Sequence, residues 1–525
     1  MLTRILFVFM FCIASHISYA MDLEGWIDVT RHGVSQKGEI STKQIQKIID
    51  DTSAQGGGTI YFPAGEYLTG AIHLKSNINL HLDAGALLKF STDLEEYLPF
   101  VKMRWEGTVM QNFSPLIYAY QAENISITGR GKIDGQGKAW WEEMYRIRYP
   151  KEELPLNKYQ ILWDELNPDL KTEPYYQGTI GMKFFRPPLI QVFECKNIKI
   201  EGLTIVNSPF WTVNPAFSED IKISGLTIIN PPSPNTDGIN PTSCKNVHIS
   251  DCHISVGDDC ITIKSGRDID GRKYATATEN VTITNCTMLS GHGGVVIGSE
   301  VSGDIRKVTI SNCIFDGTDR GIRIKSARGR GGIVEEIRVS NIVMNNIQKE
   351  AIVLDLFYDK ESKKEPISER TPIFRNIHIA NVTGTDVNVA GSVHGISEMP
   401  IDNISFSNIN MEAKNGFSVH TAKNVEFHDV QISTTTGSSF IFEDVENLIV
   451  DNVKTRDPLQ NTAVVKLKNV SNALLHNNFQ MIASDLFFQI EGERSSKIFM
   501  KNNTLTNVRK PIEEAKDLKR KTVRQ

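Results

Sequence analysis

A short unit, apolar-x-apolar followed by a polar turn and a further apolar pair, recurs down most of the chain and restricts it to one kind of architecture. Its copies begin near Lys196, Glu219, Lys245, Glu279, Arg306, Glu335, Arg375, Asp402, Lys423 and Glu446, at spacings from 21 to 40 residues, with looser copies near Ser471 and Ser495. A unit this short cannot bury its apolar side alone; it does so by stacking on its neighbours, which makes a solenoid. Alternation at period two marks the units as strands, so the expected fold class is all-β. Asn recurs at the turn before each strand, where it tolerates left-handed backbone and its side chain can bond the main chain. A solenoid grows by adding coils, so the 525 residues are expected to form one long domain, residues 21–518, rather than several.

The ends of the chain read differently. Met1 to Ala20 carries Arg4, an apolar run from Ile5 to Ala14 and a small-residue site at Ser18-Tyr19-Ala20, the pattern of a cleaved secretory signal. The run is shorter than the about 20 apolar residues that span a bilayer. The expectation is an exported protein, periplasmic or extracellular, with no membrane span. A helix from about Lys43 to Ala54, with Ser41 or Thr42 as N-cap, Ile45, Ile48 and Ile49 on one face and Gly56-Gly57-Gly58 as its stop, should cover the open end of the solenoid. Between Glu142 and Pro188 the repeat disappears, and the aromatic content of this inserted region argues for an ordered wall rather than disorder. Residues 519–525 form a basic tail, expected to be solvated and frayed.

A formal net charge of −5 and a pI near 6.2 give no general attraction to nucleic acid or to anionic membranes. Removal of the signal takes Cys12 and leaves Cys195, Cys244, Cys252, Cys260, Cys286 and Cys313. Cys252, Cys286 and Cys313 occupy the apolar column that other coils fill with Leu203, Leu226 or Ile342, so buried stacked thiols are expected instead of disulfides. None has Cys-x-x-Cys metal spacing.

Setting those three cysteines in register places Ile261, Val295 and Ile322 in one column and Ile263, Ile297 and Ile324 two residues on. Asp258 then lies over His292, and Lys264 over Lys325. Alignment through Ile239, with an insertion at Pro231–Pro234, puts Asp237 over Asp259. Adjacent rungs lie about 4.8 Å apart, so residues in one column are spatial neighbours. If Ile322 and Ile324 face the core, Arg323 and Lys325 face outward, as do Thr262 and Lys264.

Three carboxylates in one groove cannot all ionise freely, because like charges raise at least one pKa. Glycoside hydrolysis needs that split: one carboxyl protonated for the leaving oxygen, another ionised to activate water. Asp258, beside His292, is the expected general acid, and Asp237 with Asp259 the shared base. Asp-rich turns that bind nothing, or bind Ca²⁺, are the plainer alternative for each acid taken singly. Arg323 offers a planar fork and Lys325 a mobile charge, a pair suited to a uronic-acid unit beside the cleaved bond.

The motifs Asn235-Thr-Asp-Gly, Gly257-Asp-Asp-Cys, Gly291-His-Gly and Arg323-Ile-Lys, with Ile133-Asp-Gly-Gln-Gly, Asn207-Ser-Pro-Phe-Trp and Lys264-Ser-Gly, resemble the pectin-degrading polygalacturonases of glycoside hydrolase family 28. The resemblance runs from about Asp28 to about Asp359. It implies a right-handed parallel β-helix and an inverting mechanism that needs no cofactor or metal. It also implies catalysis by Asp237, Asp258 and Asp259, with His292 beside the acid. Arg323 and Lys325 would bind a substrate carboxylate, with Tyr358, Asn235 and Lys264 as further substrate-binding candidates. The partner would be a pectic polysaccharide or oligogalacturonide. One departure is Asn214, where relatives often carry His. Rival readings are an endo-polygalacturonase, a rhamnogalacturonan hydrolase, a Ca²⁺-dependent pectate lyase and a non-catalytic polysaccharide-binding β-helix. Action from a chain end is expected if the 142–188 region, the Arg267–Tyr274 stretch and the Asp359–Arg375 insertion close the groove. An inverting pair would also stand roughly 6.5–9.5 Å apart.

Overall fold

The computed structural model describes residues 25–152, 154–172, 182–358, 363–516, 518 and 522–524. The segment read as a secretory signal lies outside these residues, as does most of the basic tail.

The described chain is a right-handed parallel β-helix. One inward column shows how it is held: Ile125, Ile198, Ile221, Val247, Val281, Val308, Ile337, Ile377 and Ile404 pair in turn across successive coils. All nine are buried. Parallel strands covered on the inside by their neighbours favour such β-branched residues, whose stiff side chains pack on a pleated surface. The looser copies continue the stack, with Leu448 on Ala473 and Ala473 on Ile498. The tail departs from expectation, because Val523 and Arg524 pair with Ile498 and Phe499 and extend the stack.

The turns carry a second stack. Asn77, Asn124 and Asn197 all have φ between 55° and 64°, and the amides of the later two donate to the side chain of the preceding one, Asn124 to Asn77 at 2.8 Å and Asn197 to Asn124 at 2.7 Å. Asn312, Asn341, Asn381 and Asn408 repeat this at another corner. The recurring Asn thus serves both backbone geometry and coil-to-coil bonding.

Helix α1 (Thr42–Ala54) covers the N-terminal end with Ile45, Ile48 and Ile49 buried. Ser41 precedes it without a side-chain cap; its hydroxyl accepts from Ser35 N and donates to Glu39 O instead. Gln46 bonds the backbone of His73 in both directions, at 3.0 and 2.8 Å, which blunts an edge strand open to other chains. The six described cysteines are free and buried.

The inserted region forms α2 (Lys138–Arg148) and α3 (Lys158–Leu166). Trp140 and Trp163 are fully buried, Trp140 against Tyr97 and Phe113, Trp163 against Phe185. Within the 142–188 region Trp163 is thus core, while Tyr145 and Tyr149 are exposed. No helix among the described residues is long and apolar enough to cross a membrane.

Candidate active site

The sheet that carries the acids runs through Ile72–Leu74, Ile117–Tyr120 and Ile190–Phe193, then Asp259–Ile263, Gly293–Gly298 and Ile322–Lys325. Single bridges through Val213 and Ile239 join the two halves. Ile239 pairs with Ile261, Ile261 with Val295 and Val295 with Ile322, the register expected from the cysteine alignment. Asp237 accordingly sits one coil from Asp259, and Asp258 one coil from His292.

The acids converge. One oxygen from each of Asp237, Asp258 and Asp259 lies within 4.8 Å of the others. These nearest-oxygen distances are tighter than the expected 6.5–9.5 Å spacing, because all three acids hang from two adjacent coils. Two oxygens this close can still share one water, with hydrogen bonds of about 2.8 Å to each.

Burial and neighbouring charge separate the acids. Asp237 is buried and accepts from Asn240 Nδ2 at 2.7 Å and Thr262 Oγ1 at 3.3 Å. Burial, then the charge of Asp258, pushes its carboxyl well above the usual range. Asp259 is equally buried, which alone would push it up too. Lys325, Arg323 and Lys264 overcome this and hold it below the usual range. Lys325 Nζ is 2.9 Å from Asp259 Oδ2 and Arg323 Nη1 3.7 Å from Oδ1. Asp258 is partly exposed, its Oδ1 accepting from Asp259 N at 2.9 Å and facing His292 Nδ1 at 3.1 Å. That contact raises the His292 pKa. The cluster therefore offers a buried carboxylate that cations hold ionised, a buried carboxyl whose protonated form burial and Asp258 favour, and a surface carboxyl paired with an imidazole.

The remaining candidates divide. Tyr358 is exposed, its ring 5.6 Å from the Arg323 guanidinium and 5.2 Å from Lys325 Nζ. Lys264 lines the pocket on the outward face, as parity expects, but is as buried as Lys325, with Nζ 2.7 Å from Glu300 Oε2 and 4.8 Å from the Trp211 ring. Those neighbours fix its charge beside the acids. Asn235 reaches the pocket edge, and its Oδ1 accepts from buried Arg186 at 2.9 Å. Arg186 also donates to Pro209 O and Pro234 O, clamping the insertion that brings Asp237 into register.

The feature that sequence reasoning missed is an antiparallel hairpin, Val101–Trp105 with Thr108–Asn112. Glu106 and Gly107 form its turn, both at positive φ, as a two-residue hairpin of this twist requires. At Gly107 a Cβ would stand 2.8 Å from Arg267 N. The hairpin lies on the outward face of the acid-bearing sheet. Tyr118 Oη donates to Lys102 O, Gln191 exchanges hydrogen bonds with the Arg104 backbone, and Arg104 Nη1 donates to Ser243 Oγ at 2.7 Å. Trp105 stacks on Phe210 at 5.1 Å and donates to Arg186 O. Asn214 is buried beneath, bonded to Gln191 and to Asn240 O, so the departure at this position falls where the groove is filled. Asn167, just after α3, and Asp270 bond the hairpin backbone from either side. Asp270 belongs to a short helix, α4 (Asp268–Tyr274).

What is left of the groove is a pocket of about 150 Å³. It is lined by the three aspartates, Trp211, Lys264 and Lys325, by Arg267 from the stretch expected to close the groove, and by Glu106, Glu300 and Arg330, which no motif or repeat marks. Beyond the residues that fall outside the described set, the insertion after Tyr358 continues as a strap whose Arg370 accepts backbone bonds from Gly329 and Gly331, beside Arg330.

Comparison with known proteins agrees with this geometry. The family model described as glycosyl hydrolases family 28 matches residues 181–434. A probable polygalacturonase of Vitis vinifera is 32% identical over 388 residues, covering 72% of each chain. An endo-polygalacturonase of Pectobacterium carotovorum is 32% identical over 330 residues, 61% of this chain and 73% of that one. The crystal structure of a hyperthermoactive exopolygalacturonase from Thermotoga maritima superposes with a TM-score of 0.66 at 34% identity, covering 74% of this chain and 87% of that one. With the motifs in register and relatives at this identity over most of their length, the chain belongs to glycosyl hydrolases family 28.

Proposed function

We propose that this glycoside hydrolase is an exo-acting polygalacturonase, cleaving α-1,4-galacturonosyl linkages with inversion from the non-reducing end. The observation that carries the mode is the hairpin lying across the groove over Tyr118, Gln191 and Ser243. A polymer threading an open groove needs a clear path over successive coils, and here one side is filled. Endo- and exo-acting relatives stand at similar identity, 32% and 34%, so likeness does not choose between them.

Orientation follows from the cations. Arg323 and Lys325 lie two coils after Asp259 and suit the carboxylate of the unit on the leaving side. The attacked unit then lies toward the hairpin, which is the non-reducing side. Asp258 gives its proton to the glycosidic oxygen as the bond from the anomeric carbon breaks. Water held between the buried acids attacks that carbon from the opposite face and passes its proton to Asp259. Asp237, protonated in the resting site, leaves the buried pair with one negative charge, enough to accept that proton. Asp258 and His292 share a proton across their 3.1 Å contact, which lies on Asp258 as the bond breaks; the exposed imidazole takes another from solvent for the next cycle, and Asp259 releases to solvent the proton it accepted.

A Ca²⁺-dependent elimination fits less well, because Lys325 already takes one Asp259 oxygen and two more cations neutralise the same acid. The N-terminal signal reading places the enzyme outside the cytoplasm, where pectic chains are met. A time course on saturated oligogalacturonides tests the reading: monogalacturonate should accumulate from the start with no ultraviolet-absorbing product. Unsaturated products, or chains bound without new reducing ends, would overturn it.

A further inference from the structure

The hairpin tip supplies a chemical group as well as bulk. Glu106 lines the pocket with Asp237, Asp258 and Asp259, but it enters from the hairpin and not from the coils that carry the acids and Arg323. Its side chain is largely buried, and Oε2 lies 3.3 Å from Arg267 Nη1. The tip is held in place, since Arg267 N donates to Gly107 O and Val109 N to Asp270 Oδ2.

One atom distinguishes the terminal sugar of a galacturonan from an internal one at its non-reducing side. The terminal unit carries a free 4-hydroxyl, a donor, whereas an internal unit has a glycosidic oxygen without a proton and a further ring beyond it. A carboxylate accepts from the first and can make no hydrogen bond with the second. Setting a carboxylate near an acidic sugar costs repulsion unless cations offset it. Arg267 meets Glu106 directly. Arg330 lines the same pocket at 8% exposure, and its Nη1 makes no hydrogen bond, though Asp268 Oδ2 lies 3.6 Å away.

We propose, resting on the reading of action from the non-reducing end, that Glu106 is a specificity-determining residue whose carboxylate accepts a hydrogen bond from the terminal 4-hydroxyl, with Arg330 donating to the same sugar. The groove is then closed by a group that reads the end, and not by steric exclusion alone.

Two trisaccharides test this with the full-length enzyme: trigalacturonate and its 4,5-unsaturated counterpart, which lacks the 4-hydroxyl at its non-reducing end. Wild type should favour the saturated substrate in kcat/KM by at least about 10²-fold, since sites built to bond a hydroxyl strongly reject analogues without it. Glu106→Ala should bring that ratio toward one. Glu106→Asp, which keeps the charge but withdraws it by a methylene, should lower it at least about tenfold and guards against misfolding of the alanine variant. A ratio unchanged in both variants overturns the inference while leaving the polygalacturonase reading intact. If wild type cleaves neither trisaccharide, the polygalacturonase reading fails, and this one with it.

Discussion

Replacing Lys325 by Met should move the acid limb of catalysis, because Lys325 is the first of the cations that keep Asp259 ionised. Lys325 is buried with its Nζ 2.9 Å from Asp259 Oδ2, and Asp259 is 1% exposed. Removing one partner of a buried pair costs about 3–5 kcal/mol. Met preserves most of the packing, and Asp259 escapes the full cost by taking a proton. Arg323 and Lys264 remain and limit the rise in its pKa, so the acid limb of kcat is expected to move to higher pH. Lys325 also lines the pocket, so KM should rise, but the position of the kcat limb isolates the titration. The sign for stability follows from the lowered Asp259 pKa. Its contribution is present above the unfolded value near 4 and lost as pH falls through the folded one. The variant should therefore melt lower than wild type at pH 7, and the gap should narrow below about pH 4. An acid limb in its wild-type position would refute the idea that Lys325 holds the base ionised.

Other outcomes follow from the same geometry. Asp258→Asn keeps an oxygen to accept from Asp259 N and should leave binding intact while lowering kcat by about 10² or more; near-normal turnover removes Asp258 as the acid. Arg323→Ala should weaken binding of galacturonate chains, and galactose oligomers should be poor substrates for wild type; equal rates on neutral and acidic chains would give the cation another task. Proton NMR at early times should show the β-anomer released first from the α-linked substrate; an α-anomer would mean retention despite the shared buried pair.

Much of this site was legible from periodicity. Once Cys252, Cys286 and Cys313 were placed in register, Asp258 fell on His292 and Asp237 on Asp259, because a solenoid turns sequence offset into spatial neighbourhood. The acids, His292, Arg323 and Lys325 needed nothing more. Parity marks the face of Lys264 but not its cover: Trp211 and Glu300 bury this side chain within the pocket. The aromatic content of the 142–188 region marked order and not direction: Trp163 went to the core, while Tyr145 and Tyr149 are exposed. The hairpin had a signal that went unused: alternation through Val101-Lys-Met-Arg-Trp, then Glu106-Gly107 and a second alternating run. Its position over Gln191 and Ser243 could not be read the same way, because it is fixed by contacts across some 80 to 140 residues of chain. Glu106 and Arg330 enter the pocket from outside the strand repeat, so no column marks them.

The central claim, that this family 28 hydrolase works from a chain end because its groove is blocked, is tested most directly by following viscosity and reducing ends together on polygalacturonate. The account predicts that viscosity falls slowly, in proportion to reducing ends, while monogalacturonate is the early product. A rapid loss of viscosity while few reducing ends have formed would mean internal cleavage, and would contradict it.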